Sequence, residues 1–162
     1  MYSIRTPAKL NTFLNVNAKR SDGLHNISTH LQLIDIYDEL SFSPAKFNTL
    51  VCGYPELNKD NIVIKSIEYF NQKYGANHNF NVALKKNIPF GAGLGGGSSN
   101  AASTIIALNK LLNLNLSNEK LSKIAKEIGA DCPFFMFGKN ALGSGIGDKL
   151  QEVSSIGDNI LI

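Results

Sequence analysis

The sequence predicts an α+β fold, a mostly antiparallel sheet with helices packed on it. Two observations carry this. The first half is dominated by period-two alternation, as in half-buried strands, and later segments show three helical stretches bounded by cap and stop residues. With 43% hydrophobic and 18% charged residues, the 162-residue chain can bury a core for one domain.

The elements follow in chain order. Leu10, Thr12, Leu14 and Val16 fall on one face of a strand, predicted to be half-buried. Asp22-Gly23 is a turn signal, and alternation resumes from His30 to Phe42. Asp60 is the expected N-cap of a helix carrying Val63, Ile67, Phe70 and Tyr74, with Gly75 as its left-handed stop. Phe80, Val82 and Leu84 mark a short strand whose other face is Asn79, Asn81 and Ala83. A second helix is predicted to begin at Ser98 and Ser99 and to run through Ala101, Ile105, Leu108 and Leu112. A third, capped by Ser117, places Leu121, Ile124, Ala125 and Ile128 on one face and stops at Gly129. The terminal Ile160-Leu161-Ile162 reads as a strand cut short, so a longer protein is expected.

Composition narrows the function. Of sixteen basic residues only Arg5 and Arg20 are arginines, a poor equipment for reading bases or phosphates along a nucleic acid. No secretory leader and no apolar run near the ~20 residues of a membrane span is present, so a cytoplasmic protein is expected. Cys52 and Cys132 have neither disulfide nor metal-ligand spacing and are expected to be buried thiols.

The segment Pro89-Phe90-Gly91-Ala92-Gly93-Leu94-Gly95-Gly96-Gly97-Ser98-Ser99 carries the strongest chemical signal. Five glycines ahead of a helix let backbone amides approach an anion unobstructed, and the helix adds the positive end of its dipole. The spacing Gly91-x-Gly93-x-x-Gly96 formally satisfies the dinucleotide fingerprint, but Lys85-Lys86-Asn87-Ile88-Pro89 is not the buried strand that fingerprint requires. No lysine follows the glycines as in a Walker A loop, and a protein-kinase loop would be followed by a strand.

Pro-x-Gly-x-Gly-Leu-Gly-x-Gly-Ser-Ser opening a helix resembles the phosphate loop of the GHMP kinases, the family of galactokinase, homoserine kinase and mevalonate kinase. Two further segments extend the resemblance: Pro7-Ala8-Lys9-Leu10-Asn11 with Asp22-Gly23-Leu24-His25, and Ile128-Gly129-Ala130-Asp131-Cys132-Pro133-Phe134-Phe135. Together they are similar to the branch that phosphorylates the 2-hydroxyl of a cytidine-diphosphate sugar alcohol in non-mevalonate isoprenoid synthesis. The resemblance runs from about Ser3 to the last residue.

The resemblance implies a ribosomal protein S5 domain 2-like fold. Residues 1–150 would form the N-terminal ATP-binding domain and 151–162 would open a C-terminal domain. It implies ATP with Mg²⁺, residues 89–99 at the phosphates, Ser98 as a candidate for the Mg²⁺ shell, and Asn61 and Lys85 at the adenine. Asp131 becomes the catalytic base and Lys9 its neighbouring cation, while Asn11, Leu24 and His25 face the substrate. On spacing alone Asp131 is an ordinary turn or cap residue, and Lys9 is as readily a strand lysine reaching for solvent. Leu24 stands where the family commonly has a tyrosine stacked on cytosine, and so forgoes about 1 kcal/mol of stacking. A small-molecule partner is implied, with neither nucleic acid nor membrane, and negligible kinase activity is expected of these 162 residues by themselves. Another GHMP kinase of the homoserine or mevalonate type, or a non-catalytic nucleotide- or RNA-binding module of the same fold, stays open at this level.

Overall fold

The computed structural model describes residues 1–147 and 149–155. The chain runs β1 (Tyr2–Lys19), β2 (His25–Ala45), β3 (Thr49–Cys52), a 3₁₀ turn (Pro55–Leu57), α1 (Ile62–Tyr74) and β4 (Asn79–Lys85). It continues with α2 (Gly96–Leu111), α3 (Asn118–Ile128), α4 (Cys132–Phe137), β5 (Ala141–Ser144) and β6 (Lys149–Glu152). The six strands form one sheet of order β3-β4-β2-β5-β6, with β1 paired along β2. All pairings are antiparallel except β3 with β4. The helices bury one face of this sheet. Leu40, Phe42, Phe80, Val82 and Leu84 meet Val63, Ile67 and Phe70 of α1 and Ile105 and Leu108 of α2, with Phe42 and Phe80 edge to face. α2 is the central helix, and its Ala101, Ala102 and Ala107 are completely buried, small side chains that let the neighbouring layers approach closely.

The structure departs from the sequence reading in several places. α1 is capped by Asn61, whose Oδ1 accepts from the Val63 amide at 2.9 Å. Asp60, one residue earlier, lies in the left-handed region (φ 55°), and its carboxylate pairs with the Lys65 ammonium at 2.8 Å. α2 begins at Gly96, ahead of the two serines. β1 is a strand where expected, but its far half is not half-buried. Leu14 is 54% and Val16 64% exposed, because beyond Asn11 the β1–β2 ribbon has no helix over it and residues 13–25 face solvent. Gly75 ends α1 in the left-handed region and Gly23 turns the ribbon at φ 84°, both as predicted.

β3, β5, β6 and α4 were not predicted. Each spans only four to six residues, too few for a period to declare itself. β6 straddles the boundary expected at residue 150, since Lys149–Glu152 pairs with Ser144–Ala141 of β5. The apolar terminus 160–162 lies outside the described residues. Cys52 and Cys132 are both free and buried.

Candidate active site

β4 hands the chain to α2 through residues 86–95, and backbone geometry there explains the glycines. Gly91, Gly93 and Gly95 adopt φ of 76°, 75° and 70°, the left-handed region that side chains resist. Between them Leu94 is buried against Ala8 and Ile88, and its carbonyl accepts from the Lys9 amide at 3.0 Å. The leucine therefore anchors the loop to β1 while Phe90, Gly91, Ala92, Gly93 and Gly97 stay exposed. Gly95, the N-cap of α2, supplies no capping side chain, so the first-turn amides and the dipole are open to an anion. Ser98 is half-buried and Ser99 completely buried, its hydroxyl without a hydrogen-bond partner among the described residues.

Two of the glycines are also spacers. A Cβ on Gly95 would lie 2.8 Å from Phe135 Cζ and 2.9 Å from Lys9 Cγ, and one on Gly96 would lie 2.9 Å from Lys86 Nζ. The loop is thereby pressed against Lys9 of β1 and Phe135 of α4 at Gly95, and against Lys86 at Gly96.

Lys9 and Asp131, 122 positions apart in the chain, meet at this junction with Nζ and Oδ2 3.6 Å apart. Lys9 is buried, and its ammonium also donates to Asn11 Oδ1. Asn11 in turn donates to Thr29 Oγ1 at 2.8 Å, which fixes its amide orientation. Asp131 is the N-cap residue of α4, yet its side chain makes no capping bond and is 49% exposed. Pro133 at the first turn fixes the backbone there. The carboxylate is thus held beside a cation and left open to solvent. Next to it, Cys132 carries a buried thiol. Burial pushes that thiol up to about 11, so it stays protonated and is no nucleophile.

A cavity of about 170 Å³ opens beside the loop, lined by Leu57, Asn61, Ile62, Leu84, Lys86, Phe90 and Asn100 among others. Asn61 is there while also capping α1. Lys85 is not. It lies on the opposite face of β4 and sits 3.8 Å from Glu39, because the inward face runs Phe80, Val82, Leu84 and then Lys86. The lysine at the cavity is Lys86, buried and paired with Asp38 at 2.5 Å. Alternation along β4 already contained this answer, since Lys86, not Lys85, continues the apolar face. Leu24 and His25 are exposed at the far end of the ribbon. His25 stands opposite Lys19 and Leu33 opposite Lys9, a path of up to roughly 26 Å of extended chain. Asn11 joins the Lys9–Asp131 centre, and these two do not. Among the described residues no group of three or more His, Cys, Asp or Glu could hold a metal ion.

A glycine loop ahead of an uncapped helix, faced by a lysine–aspartate pair, is the arrangement on which comparison with known proteins bears. Residues 61–139 match the model for the GHMP kinases N terminal domain. Over those residues the chain is similar to a GHMP kinase N-terminal domain. The relatives similar to this chain include 4-diphosphocytidyl-2-C-methyl-D-erythritol kinase of Syntrophus aciditrophicus, 46% identical over 160 residues, covering 96% of this chain and 57% of the relative. The protein of the same name from Caldanaerobacter subterraneus subsp. tengcongensis is 41% identical over 161 residues, covering 98% of this chain and 56% of the relative. The chain therefore spans a little over half the length of the curated relatives it matches. Among solved structures, 4-(cytidine 5'-diphospho)-2C-methyl-D-erythritol kinase superposes with a TM-score of 0.80 at 32% identity, over 94% of this chain and 55% of that one. Mevalonate kinase of Methanococcus jannaschii shares the fold of the GHMP domain, with a TM-score of 0.67 at 14% identity over 95% of this chain and 56% of that one. No helix of the described residues is long and apolar enough to cross a membrane.

Proposed function

We propose that this chain is the ATP-binding part of a 4-diphosphocytidyl-2-C-methyl-D-erythritol kinase, phosphorylating the 2-hydroxyl of that cytidine-diphosphate sugar alcohol in isoprenoid synthesis in the cytoplasm. The observation that carries the reading is Asp131, without a capping bond and half-exposed, 3.6 Å from the buried Lys9, whose side chain packs against Gly95 of the glycine loop. Transfer to an alcohol needs a carboxylate to accept the hydroxyl proton, positive charge nearby, and donors for the phosphates. Asp131 accepts the proton. Lys9 stabilises the negative charge gathered there and, with Asn11, orients the alcohol.

The residues fit ATP. Amides 91–97 and the open start of α2 suit the phosphates. Asn61, Lys86 and Phe90 line a cavity suited to the base. Bound ATP with Mg²⁺ supplies the phosphoryl group and screens its charge, and Ser98 is the side chain nearest to the role of a metal-shell donor. His25 and Leu24 are assigned to the cytidine end of the substrate, where imidazole offers one donor and one acceptor. The long ribbon suits an elongated acceptor whose reacting hydroxyl and base lie far apart. Coupled assays of ATP consumption with 4-diphosphocytidyl-2-C-methyl-D-erythritol, mevalonate and homoserine test the assignment. Turnover by the whole enzyme, of which we propose this chain to be a part, is expected with the first alone, and preference for a nucleotide-free alcohol would contradict it.

A further inference from the structure

The ion pair at the cavity belongs to a larger buried cluster. Asp38 is completely buried on the face of β2 that continues as Leu40 and Phe42, where an apolar side chain is the rule. A carboxylate offers about four acceptor positions, and four donors reach this one. Lys86 Nζ lies 2.5 Å and Asn100 Nδ2 3.1 Å from Oδ2, and the Asn87 and Ile88 amides each lie 2.8 Å from Oδ1. Asn100 is held in turn, its Oδ1 accepting from the Thr6 hydroxyl at 2.6 Å.

The donors fall on both sides of the phosphate loop. Residues 86–88 lead into it, and Asn100 lies in the helix that leaves it. Between these ends, three glycines in the left-handed region give the loop great freedom when unrestrained. A loop whose ends are already fixed gives up less entropy when it closes on an anion, and so binds it more tightly. The same carboxylate sets the Lys86 ammonium against Gly96, at the start of α2.

We infer that Asp38 is a positioning residue, fixing both ends of the glycine loop and the Lys86 ammonium before nucleotide arrives, and so setting the affinity for ATP. The inference rests on the reading of the loop as the ATP site. It predicts a defect confined to nucleotide, because Asp38 is distant in role from the Lys9–Asp131 pair.

Asp38→Asn keeps the size and one acceptor but turns an amide group or a neutral oxygen toward Lys86. In the ligand-free protein, amide exchange over residues 87–97 is expected to speed at least about 10-fold beyond the change seen in α3. Calorimetric Kd for MgATP should rise on the order of 10-fold to 100-fold, with KM for the acceptor alcohol within about twofold of wild type. Ile124→Ala, in the core of α3, serves as the stability control and should lower Tm while leaving the MgATP Kd unchanged. If Asp38→Asn does not fold, Asn100→Ala keeps the ion pair and releases only α2, with the same pattern of a smaller size expected. Wild-type exchange at 87–97, or a wild-type MgATP Kd in the folded variant tested, would overturn the inference. A wild-type protein that binds no MgATP would instead remove the kinase reading, and the exchange measurement would still decide whether Asp38 fixes the loop.

Discussion

Asp131 and Lys9 illustrate how little a single residue says until its neighbours are in place. Each had an ordinary reading from spacing alone. The proposed role draws on Asp131 standing at the start of α4 without capping it, and on Lys9 being buried beside it rather than extended into solvent. Asp131→Asn should therefore leave the fold intact and lower kcat by roughly 10²- to 10⁴-fold, measured as ATP consumption at saturating substrate. Gly95 makes a second prediction at this scale. With φ of 70° and a would-be Cβ within 2.9 Å of both Lys9 and Phe135, Gly95→Ala should cost at least about 1 kcal/mol in denaturant unfolding and raise KM for ATP. Cys132 gives a third, in pH. Its thiol is held up at about 11 against an ordinary 9.0, mainly by burial, so below pH 9 it is protonated in both folded and unfolded chains. Between about 9 and 11 the unfolded chain alone releases the proton. Stability should therefore fall across that window, and Cys132→Ala should lessen the fall seen in urea titrations at successive pH values.

At the scale of elements, periodicity was informative where strands and helices were long and silent where they were short. α1, α3 and the paired faces of β2 and β4 were legible because each repeats its period several times, and the glycine loop because its residue types are distinctive. α4 was not, although the site depends on it, because its six residues combine a proline, a cysteine and three phenylalanines in a run with no polar face. The exchange of Lys85 for Lys86 has a different origin. Two adjacent lysines invite a choice, and only the inward run Phe80, Val82, Leu84 decides it. That choice is testable. Lys85→Ala should be near neutral, since its partner Glu39 is a surface charge. Lys86→Ala leaves Asp38 buried without its cation, and should cost about 3–5 kcal/mol in thermal or chemical unfolding and weaken ATP binding. Asn61→Ala, by removing the cap of α1, should cost about 1 kcal/mol.

Across the whole molecule, the site is built where three lines of the chain converge: β1 with Lys9, the loop between β4 and α2, and the turn into α4 with Asp131. Their convergence could not be read from sequence, since the sheet order β3-β4-β2-β5-β6 depends on pairings between residues far apart in the chain. The family resemblance supplied that convergence in advance, and physical pattern alone did not. The exposed ribbon beyond Asn11 was likewise illegible, because alternation is identical whether or not a layer covers it. The central claim is that Asp131 serves as base for phosphoryl transfer from ATP held by the glycine loop to 4-diphosphocytidyl-2-C-methyl-D-erythritol. The most direct test is phosphate incorporation into that alcohol from labelled ATP by wild type and Asp131→Asn, with nucleotide binding measured alongside. With both in the whole enzyme, the account predicts transfer by wild type, loss of roughly 10²-fold or more in the variant, and equal MgATP affinity in both. Undiminished transfer by Asp131→Asn would contradict it.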